Sequence, residues 1–142
     1  MDINCLLKSM TLREKLAQLT QLESSLFTAD ENGVLTGPLS VMELTPEDVG
    51  CAGSVLGATG AEPIRRIQEQ HLKNDPHGIP LVFMMDVIHG YRTIFPIPLA
   101  IACSWNTEYA RICAELSAAE ATAAGLHVTF APMMDLVRDP RW

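Results

Sequence analysis

Ile79-Pro80-Leu81-Val82-Phe83-Met84-Met85-Asp86 is a continuous apolar run that stops abruptly on a carboxylate. That pattern predicts a strand buried on both faces of a parallel sheet, with Asp86 at its C-terminal end. Downstream, Phe95-Pro96-Ile97-Pro98-Leu99-Ala100 is apolar, but its prolines cannot donate to a ladder, so it reads as an irregular, buried connection. Asn106 can cap a helix running to about Ala124, with Glu108 in its first turn and Gly125 as the terminating residue. Its inner stripe reads as Tyr109, Ile112, Cys113, Leu116 and Ala123. Leu126 to Asp135 then repeats the first pattern, a strand that ends in Asp. Strand, helix and strand in that order place the chain in the α/β class with parallel βα units.

Upstream, Glu62 to Lys73 carries Pro63 in its first turn and Ile64, Ile67 and Leu72 at near-helical spacing. Cys51-Ala52-Gly53-Ser54-Val55-Leu56-Gly57 is a short strand candidate without the glycine spacing of a phosphate-cradling loop. Between Glu23 and Gly50 the periodicity fails and Asn32-Gly33, Gly37-Pro38 and Thr45-Pro46 read as turns and breakers, hence a loop region. Before it, Thr11 and Glu14 form a capping box that opens a short helix, with Leu12, Leu16 and Leu19 on one packing face.

Composition narrows the function. A net charge of −7 is repelled by phosphate backbones and anionic surfaces, so no nucleic acid and no membrane partner is expected. No apolar run reaches the roughly 18 to 20 residues of a membrane-spanning helix. The start has neither a basic segment nor a long apolar one, which gives a cytoplasmic address as the expectation. Cys5, Cys51, Cys103 and Cys113 are far apart and read as free, mostly packed thiols. His71, His77, His89 and His127 show no HExxH or Cys/His pairing, and no metal or other cofactor is expected. No GxSxG nucleophile motif occurs. Aromatic content of 6% argues against a carbohydrate-binding module built on exposed stacking rings.

Two strands that end in Asp put both carboxylates on the sheet edge where α/β folds hold ligands. Asp86 and Asp135 are therefore candidate binding residues. An Asp there can accept two hydrogen bonds from neighbouring hydroxyls, as a sugar ligand does, or hold the next loop through an Asx-turn; spacing leaves both open. His89 reads as a hydrogen-bonding support of that loop, and Arg138, Asp139 and Arg141 as a local ion-pair network ordering a tight turn.

Three ordered blocks then resemble the N-terminal domain of family 3 glycoside hydrolases: Asp86-Val87-Ile88-His89-Gly90-Tyr91-Arg92-Thr93-Ile94-Phe95-Pro96, Ala131-Pro132-Met133-Met134-Asp135, and Arg138-Asp139-Pro140-Arg141-Trp142. The resemblance implies a (β/α)8 barrel followed by a second α/β domain, metal-free retaining hydrolysis of β-glucosides or related oligosaccharides, and Asp86 as a substrate-binding carboxylate in the first sugar subsite. It also places the nucleophile and the acid/base beyond Trp142, so that no catalytic residue lies within this chain. Because a closed barrel takes ~250 residues, the 142 residues are expected to form only its N-terminal βα units. Such a piece leaves apolar edges uncovered, and poor stability or self-association is expected of it alone.

Overall fold

The computed structural model describes residues 2–27, 44–133 and 138–139. Among the described residues four strands form one parallel sheet in the order β1-β2-β3-β4: β1 (Gln21–Glu23), β2 (Ser54–Leu56), β3 (Val82–Met85) and β4 (Val128–Thr129). After β1, each of these pairs with the one before it. A doubly wound sheet reverses its strand order at a switch point, whereas a (β/α)8 barrel adds each strand beside the last. The order is that of the opening units of a barrel, and the α/β class holds.

The core follows from register. Leu22, Val55 and Phe83 are aligned across β1, β2 and β3 and all are buried, Phe83 completely. Beneath Val55 and Phe83 lie Ile64 and Ile67 of α4 (Ala61–Asn74), joined by Leu81, Val87, Ala121 and Leu126 in one cluster. Leu22 shares a second cluster with Leu26, Val49 and Ala52. The opposite face of the sheet is less covered than the apolar run predicts: Val82 and Met84 are half-buried, because the described residues supply no layer across that face.

Polar side chains lock the strands to the helices. Gln68 of α4 exchanges two bonds with the Leu81 backbone, at 2.9 and 3.2 Å. His71, buried where the spacing expects Leu72, meets the Ile79 carbonyl at 2.9 Å, while Leu72 is largely exposed. His127 Nδ1 accepts from the Phe83 amide at 3.1 Å, and the His127 amide donates back to the Phe83 carbonyl at 2.9 Å. Two of the four histidines are thus occupied by the backbone of the β3 segment.

Two prolines open helices. Thr45-Pro46, expected as a breaker, opens α3 (Pro46–Gly50) through a capping box between Thr45 and Asp48. Pro98 likewise opens α5 (Pro98–Cys103), so the apolar segment from Phe95 is half helical and largely exposed rather than an irregular buried connection. Proline at the first helical position loses no intrahelical bond, since that amide has no partner anyway. The expected loop from Glu23 begins as a 3₁₀ turn, Ser24–Phe27; residues 28–43 lie outside the described set.

Before β1 lies α1 (Ile3–Ser9), capped by Asp2, a helix with no expectation from the sequence. The predicted capping box then starts α2 (Leu12–Ala17), with Glu14 accepting from the Thr11 amide at 2.6 Å. Leu12, Leu16 and Leu19 do not pack inward, since all three are more than half exposed. At the end of α2 the chain passes so close to β2 that a Cβ on Gly53 would lie 2.2 Å from the Gln18 carbonyl oxygen. Only glycine fits that approach.

Asn106 caps α6 (Thr107–Ala123), and Gly125 follows it with a φ of 93°. The inner face is different from the expected one. Ser117 and Ala121, followed by Ala124, are buried, whereas Tyr109, Ile112 and Leu116 are exposed. The helix turns its small residues to the sheet and its large ones away. All four cysteines are free, with Cys5 and Cys103 exposed and Cys51 and Cys113 half-buried, so they are less packed than expected. Among the described residues no helix is long and apolar enough to cross a membrane.

Candidate functional site

Side chains of a strand alternate between faces. Phe83, Met85 and Val87 contribute to the helix-side core, so Val82, Met84 and Asp86 belong to the opposite face. Gln21 and Glu23 share that face, since Leu22 between them is buried on the helix side. Glu23 and Asp86 therefore stand at the C-terminal edge of the sheet, one at the end of β1 and the other just beyond β3. In parallel α/β folds this edge is where ligands are held.

The two carboxylates differ in what they do. Glu23 closes the turn that follows it, accepting from the Ser25 amide at 2.8 Å, from the Ser25 hydroxyl and from the Ser24 hydroxyl at 3.1 Å. Those bonds, Ser25 first, hold its carboxyl below the usual carboxylate range. Asp86 is exposed and has no side-chain hydrogen bond or ion pair among the described residues. The Asx-turn alternative is thus not realised, and both of its oxygens remain available as acceptors.

The backbone around Asp86 is fixed even though its carboxylate is free. On the strand side the Phe130 amide donates to the Met85 carbonyl at 3.3 Å. On the loop side the Val87 amide donates to Thr129 Oγ1 of β4 at 3.2 Å, the Val87 side chain is buried in the core, and further along the Phe95 amide donates to the His89 carbonyl at 2.8 Å and closes the loop. His89 therefore supports the loop through its backbone rather than its imidazole. Gly90 sits inside that loop with a φ of 117°, and a Cβ there would fall 1.9 Å from the Thr93 carbonyl oxygen. Tyr91 reaches across to the loop after β2, its hydroxyl accepting from the Gly60 amide at 3.2 Å.

Glu120 of α6 completes the arrangement. Its Oε2 accepts from the amides of Arg92 and Thr93, both at 2.8 Å, and its Oε1 from the Thr93 hydroxyl at 2.6 Å. The Thr93 bonds hold the Glu120 carboxyl below its ordinary range, so it is charged at neutral pH. Neither Glu23 nor Glu120 stood out in the sequence. The Glu-Ser-Ser triplet at 23–25 is a recognisable turn former, whereas Glu120 looks like any solvated helix residue until its partners 27 and 28 positions away are known.

Asp135, the second candidate, lies outside the described residues, as does Arg141. No group of three potential metal ligands occurs among the described residues. A cavity of about 770 Å³ opens between Gly60, Tyr91, Arg92 and Glu120, and an apolar one of about 470 Å³ lies between α5, α6 and the ends of β3 and β4. Neither is lined by Asp86, which is exposed at the sheet edge.

Known proteins are similar to this chain in both sequence and shape. The pattern of the glycosyl hydrolase family 3 N terminal domain matches residues 11–142. A periplasmic β-glucosidase from Salmonella typhimurium is 38% identical over 139 residues, which is 96% of this chain and 17% of the relative. A putative β-xylosidase from Formosa agariphila is 29% identical, across 99% of this chain and 20% of its own length. Among solved structures, a β-glucosidase from Listeria innocua in complex with glucose superposes with a TM-score of 0.89 at 55% identity, covering 100% of this chain and 20% of that one. The chain spans about a fifth of the length of these relatives.

Proposed function

The chain belongs to the glycosyl hydrolase family 3 N-terminal domain family, and from that premise we propose that it supplies the first βα units of the barrel of a retaining β-glucosidase. Within that barrel Asp86 grips hydroxyls of the terminal glucosyl residue. The observation that carries this reading is the contrast at the sheet edge: Glu23 is consumed by its own turn, while the Asp86 carboxylate is exposed, unpaired among the described residues and held by a fixed backbone. A carboxylate offers two oxygens to adjacent hydroxyls, and such charge-assisted bonds are stronger than neutral ones.

The reacting groups are assigned elsewhere. A retaining mechanism needs two carboxyl groups about 5 to 5.5 Å apart, one attacking the anomeric carbon and one acting as acid and then base. Asp86 is assigned to binding, and both reacting carboxylates to the part of the longer protein outside this chain. Sugar contacts of this kind strengthen as the ring moves toward the oxocarbenium-like transition state, so they act on turnover as well as on affinity.

In that longer protein, Asp86→Ala is expected to lower kcat/KM for 4-nitrophenyl β-D-glucoside by ~100-fold or more, the loss of charge-assisted hydrogen bonds that tighten in the transition state. Steady-state kinetics on purified enzyme provide the measurement, with the matching xyloside run beside it. An unchanged kcat/KM would make Asp86 a structural residue. A variant that loses the glucoside and keeps the xyloside would tie Asp86 to the hydroxymethyl-bearing sugar.

A further inference from the structure

Asp86 is the first residue past β3, and a bond from the end of β4 holds the chain on either side of it. Before it, the Met85 carbonyl accepts from the Phe130 amide at 3.3 Å. After it, the Val87 amide donates to the Thr129 hydroxyl oxygen at 3.2 Å. We propose that Thr129 is a positioning residue, its hydroxyl fixing the peptide unit between Asp86 and Val87 and with it the direction in which the Asp86 carboxylate leaves the sheet. The proposal rests on the reading of Asp86 as the sugar ligand.

Three observations converge. The contact is immediate, because the Val87 N–H belongs to the planar peptide that begins at the Asp86 Cα, and no residue stands between the bond and that carbon. Turning the plane turns the Cα–C bond of Asp86, and the tetrahedral centre carries the Cα–Cβ bond with it. The hydroxyl also continues the sheet where the backbone stops. The β3–β4 register ends at Met85 beside Thr129, and the next amide of the β3 segment bonded to β4 goes to a side-chain oxygen instead of a carbonyl. Finally, Val87 is only 5% exposed and its side chain is packed in the core, so its amide cannot swing out to water if the hydroxyl is removed. A buried amide without a partner is costly, and with Val87 pinned the adjustment falls on the torsions of the Asp86–Val87 link. Thr129 itself lies level with Met85, on the helix side of the sheet, so it acts through this peptide and not on the sugar.

The chemistry of the contact also fixes which substitution should be tolerated. Serine keeps the accepting oxygen and loses only a methyl group, at the cost of a less restricted χ1. Valine keeps the branched shape and has no acceptor at all.

A double-mutant cycle on kcat/KM for 4-nitrophenyl β-D-glucoside tests this in the full-length enzyme, with Asp86→Ala and Thr129→Val as the two changes. Thr129→Val alone is expected to cost ~10-fold, below the ~100-fold of a full ångström of misplacement, and Thr129→Ser to stay within about threefold of wild type. In the Asp86→Ala background Thr129→Val should have almost no further effect, because the group it places is gone. Wild-type kcat/KM in Thr129→Val, or equal losses in both backgrounds, would overturn the proposal while leaving Asp86 as the ligand. An Asp86→Ala variant with unchanged kcat/KM would overturn both readings. If Thr129→Val does not fold, the cycle runs with Thr129→Ala, which removes the same bond and adds no new contact. Coupling to Asp86 supports the proposal there too, and additivity sinks it.

Discussion

The β3 segment and the α1–α2 pair are both rich in large apolar residues, and they are held in place by opposite means. In the first, Leu81 and Phe83 are fully buried, and the backbone bonds to Gln68 of α4, to Gly53 before β2 and to His127 before β4. In the second, Ile3, Leu12, Leu16 and Leu19 are exposed, and the structure depends on charge. Arg13 pairs with Glu47 at 3.2 Å and with Asp48 at 2.6 Å, which ties α2 to the capping box of α3. Glu14, besides capping its own helix, comes within 3.4 Å of His77 Nε2. That contact lacks hydrogen-bond geometry, since Nε2 is buried without a bonded partner. Apolar sequence therefore yields burial only where two layers are present to enclose it. Where one layer is missing, capping boxes and surface ion pairs fix the helices instead.

The sharpest way to break this contrast is at Phe83. Phe83→Ala should cost about 3 to 5 kcal/mol, measured as a shift in the urea midpoint of the full-length protein, because a fully buried ring is replaced by a cavity. A loss below ~1 kcal/mol would mean that the core under the sheet collapses freely.

The charged side is tested by pH. Hydrogen bonds from Thr45, then Arg13, hold the Asp48 carboxyl at about 2, below its ordinary 3.8. The unfolded chain takes up that proton first, so the contribution is complete above pH 3.8 and disappears as the pH falls through 2. Denaturation at a series of pH values across this window should show a shallower decline for Asp48→Asn than for wild type. Identical slopes would show that the clasp between α2 and α3 contributes nothing.

Leu19, which is 85% exposed, offers the smallest effect. Leu19→Gln should change stability by less than ~0.5 kcal/mol, the usual range for surface positions. A cost of ~2 kcal/mol or more would place a covering layer over the α2 face in the protein studied.

These two regions also show what could be read from residues alone. The β3 run, the Thr11–Glu14 box, the cap at Asn106 and the position of Asp86 were legible, because each depends on neighbours within a few residues. The prolines at 46 and 98 were not, since a breaker and a first helical residue look alike without knowing which side the helix lies on. The inner face of α6 was misjudged because size suggested Ile112 and Leu116, while the sheet accepted Ser117 and Ala121. Gln68, His127 and Glu120 were invisible for a different reason. Their partners are backbone groups 13 to 44 residues away, and backbone groups carry no sequence signal.

The order of the sheet has a consequence in time. Among the described strands each pairing joins neighbours in chain order, so none of these pairings waits for a distant part of the chain. With synthesis at roughly 5 to 20 residues per second, each βα unit has seconds to settle before the next emerges. Among the described residues the side of β4 away from β3 has no partner strand, and Val128, Phe130 and Met133 are the exposed apolar residues beside it.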